Sequence, residues 1–131
     1  MIGLPFESRE MIYETIRFNI ELKSVDPTFN IFYPFPGTKL RELCIKENLF
    51  DKDYELNRSN KMLFYESPLI NTLVPANEIK SIQSTAFLYL NIPGLLYPLI
   101  DLCGNDEDPF SSRLTKELRE IAYRSKYDNI E

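Results

Sequence analysis

The chain has 131 residues and a formal net charge of −5. That length suits one domain, and an acidic balance with no Lys/Arg cluster among aromatics argues against nucleic-acid binding, which needs a basic footprint. The chain holds no histidine, which excludes Ser-His-Asp and Cys-His chemistry within it.

The first stretch, residues 1–8, puts the Gly/Pro loop Gly3-Leu4-Pro5-Phe6-Glu7-Ser8 after apolar Met1 and Ile2. Ser8 is a good N-cap, and Glu10 sits where a helix dipole favours an acid. Ile12, Ile16 and Ile20 recur every four residues, with Met11, Phe18 and Leu22 widening the same apolar side, so a helix is predicted over residues 9–23. Asp26-Pro27 stops it. Residues 28–33 are β-branched and aromatic, apolar on both faces apart from Asn30, as in a strand covered on both sides. Pro34 ends it, and the loop Pro34-Phe35-Pro36-Gly37-Thr38 leads into a helix over residues 39–47, capped by Thr38 and burying Leu40, Leu43 and Cys44. Two strand-loop-helix units in a row are the grammar of an α/β protein.

Residues 51–60 are polar and read as a linker or excursion; residues 61–65 suit a short strand and 67–75 a loop. A helix is predicted over residues 77–91, holding Ile79, Ile82, Ala86, Phe87 and Leu90 on one face, with Pro93-Gly94 as its breaker. A short apolar helix over 95–102 is interrupted near Pro98. After an acidic loop, Ser111 or Ser112 caps a last helix with Leu114, Leu118, Ile121 and Ala122 inward. Residues 81–100 carry no charge, but Gln83, Asn91, Pro93, Gly94 and Pro98 make a membrane span a poor reading.

Several constellations invite chemistry. Glycine lets backbone approach a ligand, and a helix N-terminus offers unpaired amides, so both loops could hold an anion or nucleoside; ordinary βα turns explain them as well. The acid pairs Asp51/Asp53 and Asp106/Asp108 suggest a metal, yet solvated loop acids account for them. Phe29, Phe32, Tyr33 and Phe35 could stack a base but suit a core better. Cys44 and Cys103 are far apart and cannot build a zinc or iron–sulfur site alone; free thiols fit a reducing compartment, so a cytoplasmic location is expected. No catalytic residue and no metal ligand is assigned.

The sequence Met-Ile-Gly-Leu-Pro-Phe-Glu-Ser, an amphipathic helix, and then Phe-Tyr-Pro-Phe-Pro-Gly-Thr-Lys-Leu at residues 32–40 resemble the later part of a radical S-adenosylmethionine enzyme core. More narrowly, they look like the cobalamin-binding group that includes the anaerobic magnesium-protoporphyrin monomethyl ester oxidative cyclases. In that family the first loop usually reads Gly-Leu-Pro-Gly-Glu-Thr after the fifth barrel strand, and Pro-x-Pro-Gly-Thr-x-Leu follows the sixth. The resemblance covers residues 1–49 well and extends loosely to residue 91.

It implies an α/β fold, the C-terminal remnant of a partial (β/α)6 TIM-like barrel followed by a helical region. Residues 1–50 would be the last strand-loop-helix units, 51–75 a linker, and 76–131 a helical region covering the substrate. Gly3, Leu4, Pro5, Pro34, Pro36, Gly37 and Thr38 would line the cofactor rim, while Glu7 would be a loop or cap residue. The parent would be an oxidative cyclase or methyltransferase-type enzyme with S-adenosylmethionine, a four-iron four-sulfur cluster and, in the narrower group, cobalamin. Phe6 departs from the family's glycine, and the Cys-x-x-x-Cys-x-x-Cys motif, the first four strands and the cobalamin domain do not occur in this sequence. The expectation is therefore a fragment or truncated relative, inactive and without cofactor alone. Its partners would be the upstream barrel and cobalamin domain, and open edges also admit a homodimer. The alternative is a stand-alone protein-interaction module without catalysis.

Overall fold

The computed structural model describes residues 1–22, 27–50, 66–105 and 107–127. Its helices are α1 (Arg9–Glu21), α2 (Lys39–Lys46), α3 (Ala76–Asn91), α4 (Tyr97–Ile100) and α5 (Pro109–Tyr127), with a 3-10 turn at Gly94–Leu96 before α4. The chain divides into two units, Met1–Thr15 with Thr28–Lys80 and Ile16–Pro27 with Ser81–Glu131.

In the first unit two extended segments meet. The Ile2 amide donates to the Asn30 carbonyl at 3.0 Å, and the Phe32 amide donates to the Ile2 carbonyl at 2.8 Å. Together they make one parallel bridge, Ile2 to Ile31. The next two rungs cannot form. The Leu4 N–H, which would continue the ladder, goes to the Glu7 carboxylate, and Pro34, the donor of the rung after that, has no N–H.

The expected α/β barrel remnant is therefore corrected. The structure is 58% helix and 2% strand, with no sheet or barrel among the described residues. An aromatic, β-branched run signals strand only where a ladder can propagate, and here proline and a side-chain acceptor stop it after one residue. The strand expected at residues 61–65 lies outside the described residues.

α2 is closed at both ends. Thr38 Oγ1 accepts from the Arg41 amide at 3.2 Å. At the other end Asn48 takes φ +54°, its amide donates to the Ile45 carbonyl, and the Leu49 amide donates to the Cys44 carbonyl at 2.7 Å. This is a Schellman motif, with asparagine in the left-handed position. It turns Leu49 inward to join Phe32, Cys44, Phe50 and Leu69 in the core, flanked by Leu4 and Leu40.

In α1 Ile12 and Ile16 are buried, but Met11, Phe18 and, just past its end, Leu22 are exposed. These three lie roughly 100° around the helix from Ile12, so the buried stripe is narrower than the apolar pattern suggested.

The second unit packs Leu88, Ile92, Ile100, Cys103, Leu118 and Ala122, with Phe87, Tyr89, Leu96, Tyr97 and Leu114 against them. Tyr97 donates its hydroxyl to the Tyr89 carbonyl at 2.7 Å, which ties the turn after Pro93 back to α3. α5 starts earlier than its serines suggested. Asp108 caps it by accepting from the Ser111 amide at 2.8 Å, and Pro109 fills the first helical position, where no N–H is needed. Ser111 and Thr115 are buried instead. They accept from the amides of Asn105 at 3.0 Å and Gly104 at 3.3 Å. Ile121, expected inward, is exposed. Among the described residues no helix is long and apolar enough to cross a membrane.

Candidate functional site

The two loops named by the sequence both belong to the first unit. Because Ile2 and Ile31 run parallel, the segments following them leave in the same direction. Each loop then builds the same four-residue turn. In the first, the Glu7 amide donates to the Leu4 carbonyl at 3.1 Å; in the second, the Thr38 amide donates to the Phe35 carbonyl at 3.3 Å. Pro5 and Pro36 occupy the second positions. The third positions have positive φ, +62° at Phe6 and +78° at Gly37. Proline followed by a left-handed residue is the type II pattern, which favours glycine third. Phe6 therefore stands, half exposed, at a position whose backbone suits glycine.

The first loop folds around an acid. Glu7 is 7% exposed, and its Oε2 accepts from the Gly3 amide at 2.5 Å and the Leu4 amide at 3.0 Å. Pro5 has no amide to give. Gly3 is buried with φ +76°, and a Cβ there would meet Ile79 Cγ2 at 3.2 Å and Ile31 Cγ2 at 3.5 Å. Its missing side chain is thus explained by core packing as well as by backbone conformation.

The second loop is more open. Pro34 is buried, while Pro36, Gly37 and Thr38 are exposed, and a Cβ on Gly37 would meet nothing within 4 Å. Thr38 Oγ1 donates to the Phe35 carbonyl at 2.8 Å, so this hydroxyl braces the turn and caps α2 together. Arg41, not singled out from the sequence, donates from Nη1 to the Pro34 carbonyl at 3.0 Å. Its guanidinium lies 4.7 Å from the centre of the Phe50 ring. A cation one turn inside a helix that opens after a proline-rich loop is the signal that could have pointed to it.

The expected cofactors meet this geometry as follows. A four-iron cluster needs three thiolates from one site, and the chain supplies two cysteines. Both are buried and unpaired by disulfide, one in each unit. Burial pushes the Cys44 thiol above its ordinary range, against metal ligation. Among the described residues no group of three or more His, Cys, Asp or Glu could hold a metal ion. Asp51, Asp53 and Asp106 lie outside the described residues, and Asp108 is the α5 cap. As folded, the Gly3 and Leu4 amides of the first loop are both spent on Glu7. The second loop, around Gly37, is exposed at Pro36, Gly37 and Thr38.

Phe29, Phe32 and Tyr33 are buried, and Phe35, exposed, meets the Tyr33 ring edge-on at 5.1 Å. A shallow open depression lined by Glu66, Ser67, Ala76, Asn77 and Lys80 includes none of the loop residues. The chain matches no family model, and no curated protein and no solved structure matches it.

Proposed function

We propose that this chain works by association with another polypeptide and runs no reaction alone. The resemblance of residues 1–49 gives the partner's class: a radical S-adenosylmethionine polypeptide that carries the cluster motif, with cobalamin in the narrower group and a cytoplasmic setting. The observation that carries the reading is the parallel bridge, which sends both loops out in one direction, with open space where a Cβ on Gly37 would lie. Two adjacent loops at one end are what a partner that owns the cofactor would contact.

The second reading, a stand-alone interaction module, draws on the second unit. Leu95 is 89% exposed and Phe110 64%, large apolar side chains that a protein partner would cover.

The test is anaerobic reconstitution with iron and sulfide of the chain alone, of a radical S-adenosylmethionine polypeptide bearing the cysteine motif, and of the two co-expressed. Release of 5′-deoxyadenosine is followed in each. The expected result is no release by the chain alone and more release by the co-expressed pair than by the partner. Co-purification without any effect on release favours the interaction module. Release by the chain alone overturns the proposal.

A further inference from the structure

The geometry points to a carboxylate-binding loop that this chain fills with its own Glu7, a feature independent of the proposed partner. Two consecutive amides, Gly3 and Leu4, converge on one oxygen, Oε2. Consecutive backbone N–H groups aimed at one point form an anion-binding concavity, and such bonds to an ionised acceptor are the strong kind.

What orients the amides is largely not Glu7. Ile2 is fixed on both sides by its bonds to Asn30 and Phe32. Gly3 is held against Ile79 and Ile31, and its positive φ turns the next amide inward. Removing the Glu7 side chain therefore leaves the two donors pre-organised and unpaired, a costly state for groups away from water.

Glu7→Ala removes Cγ, Cδ and both oxygens, which are the heavy atoms of acetate. We propose that an acetate-sized carboxylate occupies the vacated loop in that variant. In the native chain the tethered Glu7 outcompetes free carboxylates through its high effective concentration. A cofactor carboxylate could reach these amides only by expelling Glu7.

The test compares thermal unfolding of the full chain in sodium acetate and in sodium chloride of equal ionic strength, at neutral pH. Glu7→Ala is expected to melt about 5 °C lower in chloride and to regain about half of that loss in acetate. Wild type should show no acetate-specific gain. Glu7→Gln keeps an oxygen that can accept both bonds, so it should lose less and gain nothing from acetate. The amide resonances of Gly3 and Leu4 should shift on acetate titration in Glu7→Ala and stay still in wild type. Equal acetate responses of wild type and Glu7→Ala, or a Glu7→Ala chain that stays unfolded in both salts, would overturn the proposal.

Discussion

Gly104→Ala should be among the most damaging single-methyl additions in the second unit. Gly104 has φ +87°, and a Cβ there would lie 2.1 Å from Ser81 Oγ, 3.1 Å from Ser81 Cβ and 3.1 Å from the Ser81 carbonyl oxygen. The hydroxyl can rotate away, at the expense of its 3.5 Å bond to the Cys103 carbonyl. The carbonyl oxygen belongs to α3 and cannot move without disturbing the helix. The left-handed backbone costs an alanine about 1–2 kcal/mol, and forcing a methyl into filled space adds about 1–3 kcal/mol. The Gly104 amide is also held by Thr115, so a shift of the loop weakens that bond too. The total, about 2–5 kcal/mol, is a large share of an ordinary domain's stability and lowers the melting temperature by about 7–18 °C. Gly37→Ala is the control, because φ is +78° but nothing lies within 4 Å; it should cost only about 1 kcal/mol. Urea unfolding followed by circular dichroism measures both. A Gly104→Ala chain as stable as Gly37→Ala would refute the reasoning. Adding Ser81→Ala to Gly104→Ala should restore a minor part of the loss, since only the closest of the three contacts is removed.

Phe6→Gly should be more stable than Phe6→Ala by about 0.5–1 kcal/mol, the reverse of the usual order, because φ +62° penalises any Cβ; paired denaturant titrations check the sign. Cys44 and Cys103 are both buried, and burial raises the Cys44 thiol, so a disulfide-exchange reagent at neutral pH should label them slowly in the native chain and fast in denaturant. Equal rates in both conditions would contradict their burial. Glu10 titrates below the ordinary 4.5, through its own backbone amide first and the Ser8 hydroxyl second. Its contribution is therefore present above the unfolded value and lost as pH falls through the folded one. Glu10→Gln should flatten the fall in melting temperature over that acid range, read from a pH series.

The helices were largely legible in the sequence, and their interactions explain why. Ser8, Thr38 and the isoleucines of α1 act through local spacing, which a sequence displays directly. The same holds for α3, which ends as expected at Asn91, just before Pro93. What was not legible depends on contacts between segments. The run at residues 28–33 has strand composition, but whether a ladder grows was decided by the Leu4 amide choosing Glu7 and by the missing donor of Pro34. Ser111 looked like a cap and proved to be a buried acceptor for Asn105, because Asp108, three residues earlier, reached its amide first. The two Gly/Pro loops are turns with positive φ at Phe6 and Gly37. That the first turn encloses a carboxylate of the same chain is invisible to composition, since it depends on where one glutamate side chain points.

The open bend at Gly37 has a practical consequence. A loop tip whose Cα faces empty space, fixed at one end by buried Pro34 and at the other by the Thr38 cap, is where extra chain can be added without disturbing what lies beneath. A short epitope or a fluorophore-bearing insert between Pro36 and Gly37 would report on whatever approaches this end of the first unit. It would do so from a point anchored by α2 rather than from a chain terminus.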